Sequence, residues 1–360
     1  MIKRLLIVAG GTGGHVFPAL VIARCLRDQG VEVVWLGTKK GLEAQIISSE
    51  KIPFHSIAIT GLRGKSFFQW LLAPWRLLVA FFQSMWIVWR CQPDVVLAMG
   101  GFVSGPGGLA AWILNKRLVI HEQNAIAGLT NRILARFAST ILTTFPNTSG
   151  ITCSQKKAQR MIYTGLPIRQ EIALLPAPAQ RFAQHDDAMH LLVIGGSQGA
   201  LSFNQVIPQA LSKLILNKPL NVWHQAGQRY QKEAEQAYHH YGLVDVHLEP
   251  FIHDMSSAYA WADLVICRAG ASTVTELTAV GLGSIIIPYP YAVDDHQDYN
   301  AHFLVEAEAA LCLSQSELNA ERLAYLLSEL MKDKDRLLKM AEAARSLRKI
   351  NVAQSIIEVL

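Results

Sequence analysis

The chain has 360 residues, 51% of them hydrophobic and 17% charged, enough for two globular domains with their own cores and too oily for a disordered or fibrous protein. Its net charge of +5 hides an asymmetry: residues 1–150 carry 15 Lys/Arg against 6 Asp/Glu (+9), and the rest carries 18 against 22 (−4). The first part should therefore meet something anionic, a phosphate or a membrane surface, whereas nucleic acid is excluded as a partner by the lack of a Lys/Arg run or an aromatic-spaced RNA motif.

Five cysteines (Cys25, Cys91, Cys153, Cys267, Cys312) are scattered without a CxxC pair, which suits a reducing compartment and argues against zinc. Met1 to Arg4 lead straight into an apolar strand, so no signal peptide is expected. Leu5 to Ala9 reads as a buried strand, Gly10-Gly11-Thr12-Gly13-Gly14-His15 as a glycine turn, Phe17 to Gln29 as a helix and Val31 to Leu36 as the next strand. The turn is not the dinucleotide fingerprint, since G-x-G-x-x-G counted from Gly11 ends on Val16. It still makes an anion nest and sets His15 beside it at a helix N-terminus. Gly64-Lys65-Ser66 imitates the end of a P-loop, but Ile59 stands where the upstream glycine is required, which excludes a nucleoside triphosphatase of that type.

Residues 67–89 hold four Trp and four Phe (Phe67, Phe68, Trp70, Trp75, Phe81, Phe82, Trp86, Trp89), interrupted by Gln69, Pro74, Arg76 and Gln83, with Arg63 and Lys65 just upstream. No apolar run is long enough for a bilayer span. A helix with one face in the core and the other dipping into an anionic bilayer surface is expected.

Asp94 to Met99 reads as a strand, and Gly100 to Gly108 supplies five glycines and Ser104 as a second backbone cradle, with a helix expected over Leu109 to Leu114. Leu118 to Ile120 is the next strand, ending in His121-Glu122-Gln123-Asn124, and Gly128 to Asn131 opens another helix. Strand ends carrying glycine turns share one sheet edge, where open α/β folds bind ligands. Prolines and polar residues over 145–190 suggest a linker; then Leu191 to Ile194, Gly195-Gly196-Ser197-Gln198-Gly199-Ala200 and Leu220 to His224 restart the pattern. Leu337 to Leu360 reads as a terminal helical segment.

The second half is organised around Leu264 to Ala301. Leu264 to Cys267 is a strand; a helix should begin with Ser272 or Thr273 as N-cap and Glu276 in its first turn; Gly281-Leu282-Gly283 ends it, and Ser284 to Pro288 is the next strand. Small residues at such a turn let a phosphate reach bare backbone N–H groups, and Glu276 is placed to accept from ribose hydroxyls.

Together GGTGGHVFPAL, GLRGK, GGFVSGPGGLAA, HEQNAIAGLTN, GGSQGA and CRAGASTVTE resemble the MurG family of bacterial N-acetylglucosaminyltransferases over nearly the whole chain. The resemblance implies a GT-B fold, two Rossmann-like α/β domains with parallel sheets facing across a cleft. Residues 1–166 plus about 344–360 would form an acceptor and membrane-docking domain, and 167–343 a domain for UDP-N-acetylglucosamine. It implies inverting transfer of N-acetylglucosamine (GlcNAc) to lipid I, forming lipid II for peptidoglycan, and so a link to cell shape and cell division. The expected place is the cytoplasmic side of the inner membrane, held peripherally, with cell-wall synthesis proteins as possible partners. No cofactor and no metal are expected: Asp294-Asp295 reads as a solvated loop.

Carried over by matching motif, the donor site comprises Thr12, Gly13, Gly14, Asn124, Arg169, Ser197, Ile252, Ala271, Ser272, Thr273, Val274, Thr275, Glu276 and Gln297. Gly101, Ser104, Gly105, Gly107 and Gly108 would hold the acceptor diphosphate. The chain departs from the family at Leu166, where Asn is usual, at His296 in place of a first Gln, and at Phe102 in place of Tyr. His15 is the leading candidate for the catalytic base, and Glu122 is the alternative. The competing readings are a soluble GT-B glycosyltransferase or sugar-nucleotide epimerase with a non-lipid acceptor, and a non-catalytic sugar-nucleotide binder.

Overall fold

The computed structural model describes residues 2–61, 72–151, 160–196, 199–215 and 218–360. Gly64-Lys65-Ser66, Arg63, Phe67, Phe68, Gln69, Trp70, Cys153 and Ser197 lie outside them. The chain divides into two compact units, Met1–Arg169 with Lys349–Leu360, and Gln170–Arg348.

The first unit runs β1 (Arg4–Val8), α1 (Gly13–Asp28), β2 (Glu32–Gly37), α2 (Leu42–Ser49), β3 (Phe54–Ser56), α3 (Ala73–Cys91), β4 (Val95–Ala98), α4 (Ser104–Ile113), β5 (Arg117–Glu122), α5 (Leu129–Leu134), β6 (Thr140–Thr143) and β7 (Met161–Tyr163). The second runs α6 (Gln170–Ala173), α7 (Pro178–Gln184), β8 (Met189–Ile194), α8 (Leu201–Leu211), β9 (Leu220–Gln225), α9 (Gln231–His240), β10 (Val246–Glu249), α10 (Met255–Trp261), β11 (Leu264–Cys267), α11 (Ala271–Val280), β12 (Gly283–Ile286), α12 (His296–Val305), β13 (Ala310–Cys312), α13 (Ala320–Met331) and α14 (Lys334–Ser346). A last helix, α15 (Val352–Val359), belongs to the first unit.

Among the described residues the sheets are ordered β3-β2-β1-β4-β5-β6-β7 and β10-β9-β8-β11-β12-β13, all neighbours parallel. Strands such as β1, β4, β8 and β11 are buried nearly throughout, as parallel strands covered by helices on both faces must be. That is why they appear in the sequence as unbroken apolar runs. Each fully buried Leu, Ile or Val contributes about 1.5–3 kcal/mol relative to exposure.

In each sheet the chain first winds one way and then returns beside its first strand. The switch points fall between β1 and β4 and between β8 and β11, where doubly wound sheets open a crevice at the strand C-termini. The register is level at both: Val8 pairs with Ala98 and Ile194 with Cys267, so the paired turns leave the sheet at one height.

The terminal segment is broken at Asn351, which sits at φ 55° and separates α14 from α15. Ile356 buries into the first unit's core, and Arg117 donates through Nη1 to Leu360 O (2.8 Å) and through Nη2 to Val359 O (2.6 Å). A cation at this helix C-terminus meets the last carbonyls and the negative end of the dipole.

Candidate functional site

At the first switch point the glycine turn is shorter than the sequence suggests. The helix starts at Gly13 with Thr12 as N-cap, so Gly13, Gly14 and His15 form its first turn, and His15 and Val16 N–H both donate to Thr12 O. That leaves the N–H groups of Gly13 and Gly14 without a partner within the helix. Gly11 takes φ 98°, and its N–H donates to Glu43 of α2, a buried carboxylate that also accepts from Thr38 N–H and Oγ1. The second cradle presses against the first: a Cβ on Gly101 would strike Gly10 O, and Gly101 sits at φ 78°.

The helix expected from Leu109 begins five residues earlier, at Ser104. The Ser104 hydroxyl is used by the fold, donating to Gly100 O (2.7 Å) and reaching Val8 O (3.1 Å). Gly107 and Gly108 also have structural work, since a Cβ there would come within 2.8 Å of Val8 and Leu134 respectively. These three sit in the helix as packing residues, which leaves Gly101, Gly105 and the α4 N-terminus as the open part of the cradle.

His15 is half-buried, with Nδ1 3.1 Å from Gln123 Oε1, and Gln123 Nε2 donates to Met99 O at 2.6 Å. Glu122 is buried and fully engaged: Oε1 accepts from Asn124 N–H (2.9 Å), and Oε2 from Gly128 N–H (3.1 Å) and Asn131 Nδ2 (2.8 Å). Burial raises its pKa, and these hydrogen bonds oppose the rise. The side chain shapes the turn from Asn124 to the N-cap Gly128. His121 donates through Nε2 to Gly165 O (3.0 Å), and burial holds its pKa down at about 4, so it is neutral.

At the second switch point α11 starts at Ala271 with Gly270 as N-cap, so Ser272 and Thr273 lie inside its first turn and Glu276 in the second. The serine and threonine do not cap, because Gly270 already has the extended backbone the cap position needs. Ser272 Oγ is buried with no hydrogen-bond partner among the described residues, at a helix end that carries free N–H groups. Thr275 Oγ1 donates back to Ala271 O (2.8 Å), and Val274 is core. The Glu276 carboxylate accepts from the buried Tyr259 hydroxyl at 2.9 Å.

Ile252 is buried, and its N–H donates to Gln225 Oε1 (3.3 Å), while Gln225 Nε2 donates to Gly196 O (2.7 Å). Gln297, on the first turn of α12, accepts from Tyr289 N–H (2.9 Å). Arg169 ends the first unit and is half-buried. Asp294 and Asp295 are exposed, both at positive φ (52° and 49°), and belong to a 3-10 turn, Val293–Asp295, that leads into α12.

Sequence reasoning missed the residues that hold these turns. Arg268 donates to Ile287 O, Pro288 O, Ser202 Oγ and Gln315 Oε1 and stacks its guanidinium 4.5 Å over the Phe203 ring; burial pushes its pKa down to about 10. Asn300 donates to Ala269 O (3.0 Å) from a fully buried position. A buried polar side chain at a strand end is the one signal that could have flagged Gln123, Gln225 and Arg268.

The described part of the aromatic stretch, from Ala73 on, forms α3 with two apolar faces. Ala73, Ala80, Ser84, Ile87 and Val88 face the core, while Trp75, Phe82, Trp86 and Trp89 are exposed. Helix α4, which packs on α3, adds exposed Trp112 and Ile113, and α5 adds Leu129 and Ile133. Among the described residues no helix is long and apolar enough to cross a membrane.

Of the described residues, His185, His190 and Asp263 have ligand-type atoms within 4.8 Å of one another. Both ring nitrogens of His185 already face acceptors, Asp263 Oδ1 (2.7 Å) and Ala260 O (2.9 Å). The hydrogen bond to Asp263 raises the His185 pKa, and the arrangement is that of an imidazolium on a buried carboxylate.

Two family models match the chain, the glycosyltransferase family 28 N-terminal domain over residues 5–143 and its C-terminal domain over 190–359. A Nitrosococcus oceani protein named UDP-N-acetylglucosamine–N-acetylmuramyl-(pentapeptide) pyrophosphoryl-undecaprenol N-acetylglucosamine transferase is 49% identical over 358 residues, 99% of this chain and 98% of that one. This chain belongs to the MurG family of glycosyltransferases. A Coxiella burnetii protein of the same name is 48% identical over 99% of this chain and 97% of its own. The crystal structure of Acinetobacter baumannii MurG matches with TM-score 0.83 at 38% identity, covering 99% of both chains. The fold is GT-B. A Listeria monocytogenes structure described as a UDP-N-acetylglucosamine 2-epimerase matches with TM-score 0.69 at 14% identity, over 99% of this chain and 95% of its own, a likeness of fold alone.

Proposed function

We propose that this chain transfers GlcNAc from UDP-GlcNAc to the muramyl 4-hydroxyl of lipid I, forming lipid II with inversion at the anomeric carbon. The reading is carried by 49% identity, over 99% of the chain, to a relative named for that transfer. The first unit takes the acceptor and docks on the membrane; the second takes the donor.

In the donor unit the α11 N-terminus, with Ala271 to Thr275 and the unpartnered Ser272 hydroxyl, receives the diphosphate through backbone N–H groups and the helix dipole. Glu276 accepts from the ribose and Ile252 offers its backbone to uracil, and the resemblance to the family carries Arg169 and Ser197 over as donor ligands. Thr12, Gly13, Gly14, Asn124 and Gln297 complete the donor contacts. Gly101, Gly105 and the start of α4 receive the acceptor diphosphate.

As the 4-hydroxyl oxygen attacks C1 from the face opposite UDP, the C1–O bond to the β-phosphate breaks and its electron pair leaves with UDP. The hydroxyl proton passes to His15. The hydrogen bonds that occupy both Glu122 oxygens support a role in shaping the turn rather than as base. The exposed aromatics of α3 and the +9 of residues 1–150 support peripheral docking on the cytoplasmic face of the inner membrane. This activity would supply peptidoglycan synthesis and so serve cell shape and division, with other cell-wall synthesis proteins as neighbours.

The test is transfer of labelled GlcNAc from UDP-GlcNAc to a lipid I analogue. Transfer by the wild type and its loss in His15→Ala is the expected result; epimerised or merely hydrolysed donor would overturn the reading.

A further inference from the structure

We propose that Gln123 is a positioning residue that holds His15 with hydrogen on Nδ1 and the basic lone pair on Nε2. The proposal rests on the reading of His15 as proton acceptor and adds what orients it. Met99 O can only accept, so the Gln123 terminal atom 2.6 Å from it is the amide nitrogen. The amide oxygen therefore faces His15 Nδ1 at 3.1 Å and requires that nitrogen to donate. In the neutral ring the lone pair is then on Nε2. In the imidazolium Nδ1 still donates, so one geometry serves the ring before and after it takes a proton.

Three features keep the amide from turning. Gln123 is 3% exposed. Met99 N–H bonds Val8 O at 2.9 Å, so the carbonyl that reads Gln123 is tied to the sheet. Gly100, at φ 92°, brings bare backbone against both groups: a Cβ there would lie 2.9 Å from His15 Nδ1 and 3.1 Å from Gln123 Oε1. Among the described residues the titratable groups on neighbouring elements include His121 and Glu122 of β5 and Glu43 of α2. His121 is neutral, Glu122 is bound by Asn124, Gly128 and Asn131, and Glu43 by Gly11 and Thr38. The partner on Nδ1 is thus a neutral amide, where His185 has the carboxylate of Asp263. A neutral partner orients the ring without holding it protonated.

The experiment pairs 15N NMR of labelled imidazoles, with His15→Gln to assign the signal, with pH–rate profiles of Gln123→Met and Gln123→Glu. Wild type should show a pyrrole-type Nδ1 and a pyridine-type Nε2, and Gln123→Met should lose that preference. Gln123→Met should lower kcat by about tenfold to a hundredfold, with donor KM within about twofold. Gln123→Glu should restore most of kcat while moving the acid limb, and the His15 titration, upward by about one pH unit. A pyridine-type Nδ1 in the wild type, an acid limb unmoved in Gln123→Glu, or a change confined to KM overturns the proposal. Should Gln123→Met fail to fold, judged by its melting curve, Gln123→Glu decides alone. If the tautomer is as stated but His15→Ala keeps its kcat, the base assignment falls while the positioning of the ring stands.

Discussion

The two switch points share strand order and register but hold their turns differently. In the first unit backbone lies on backbone, Gly101 against Gly10 O, and the working group is one half-buried imidazole on a buried amide. In the second unit the turns are tied by side chains, Arg268, Gln225 and Asn300, around a helix end whose Ser272 hydroxyl has no partner among the described residues. A turn made of glycine backbone can bring a base close to a reacting group; a turn braced by buried polar side chains presents fixed N–H groups to an anion. The outer surfaces differ as well, since α3 to α5 expose large apolar side chains and residues 1–150 carry the positive excess.

The contrast breaks first at His15. His15→Ala should cut kcat by about 10²–10⁴ with little change in donor KM, read by steady-state kinetics. A loss confined to KM would make both turns binding elements and remove the distinction. Gly101→Ala should come next, because a Cβ has Gly10 O in its way and φ 78° disfavours an L side chain; about 1–3 kcal/mol of stability should go, with activity, in a urea melt.

In the second unit Glu276→Ala should raise donor KM by about 10- to 100-fold, from roughly 1.5–3 kcal/mol for a hydrogen bond to a charged group, and leave kcat nearly unchanged. Trp75→Ser with Phe82→Ser sharpens the surface contrast. These side chains are 66% and 61% exposed, so folding and UDP-GlcNAc binding should persist while co-sedimentation with anionic liposomes falls several-fold. Wild-type binding should weaken with salt, and equal partitioning onto neutral vesicles would assign the charge another task.

The smallest effect belongs to the His185–Asp263 pair. His185 is raised above 6.5 by its hydrogen bond to Asp263, so its contribution is present below that value and lost as pH rises through the raised one. Burial raises the Asp263 pKa, but the bonds from His185 and the His190 N–H outweigh it and the net shift is down from 3.8, so its contribution is present above that value and lost as pH falls through the lowered one. The melting temperature should therefore drop as the pH rises above 6.5 and through the raised His185 value, and His185→Gln should flatten that drop.

Where the sequence was legible, a short-range rule was at work. Leu264 to Cys267 is a strand because four consecutive apolar residues suit a strand buried on both faces, and Gly281 ends α11 because φ 70° favours glycine. Helix starts were less legible. Glycine propensity argued for a loop through Gly105 to Gly108, yet the segment is helical, and Gly107 and Gly108 are glycines because Val8 and Leu134 leave no room for a Cβ. At α11 the serine and threonine suggested caps, and Gly270 took the position.

By itself the sequence determined the two α/β repeats, the glycine turns, His15 beside the first of them and Glu276 beyond the last, because burial and backbone freedom are written in residue type and spacing. Only the tertiary structure decided which polar groups remain available. Glu122 and Ser104 look like ligand residues in the sequence and are consumed by the fold; Gln123 and Tyr259 look ordinary and turn out to hold His15 and Glu276. The physical reason is that a buried polar group must find a partner, and that partner lies 17 residues away for Glu276 and 108 for His15, distances over which local pattern carries no information.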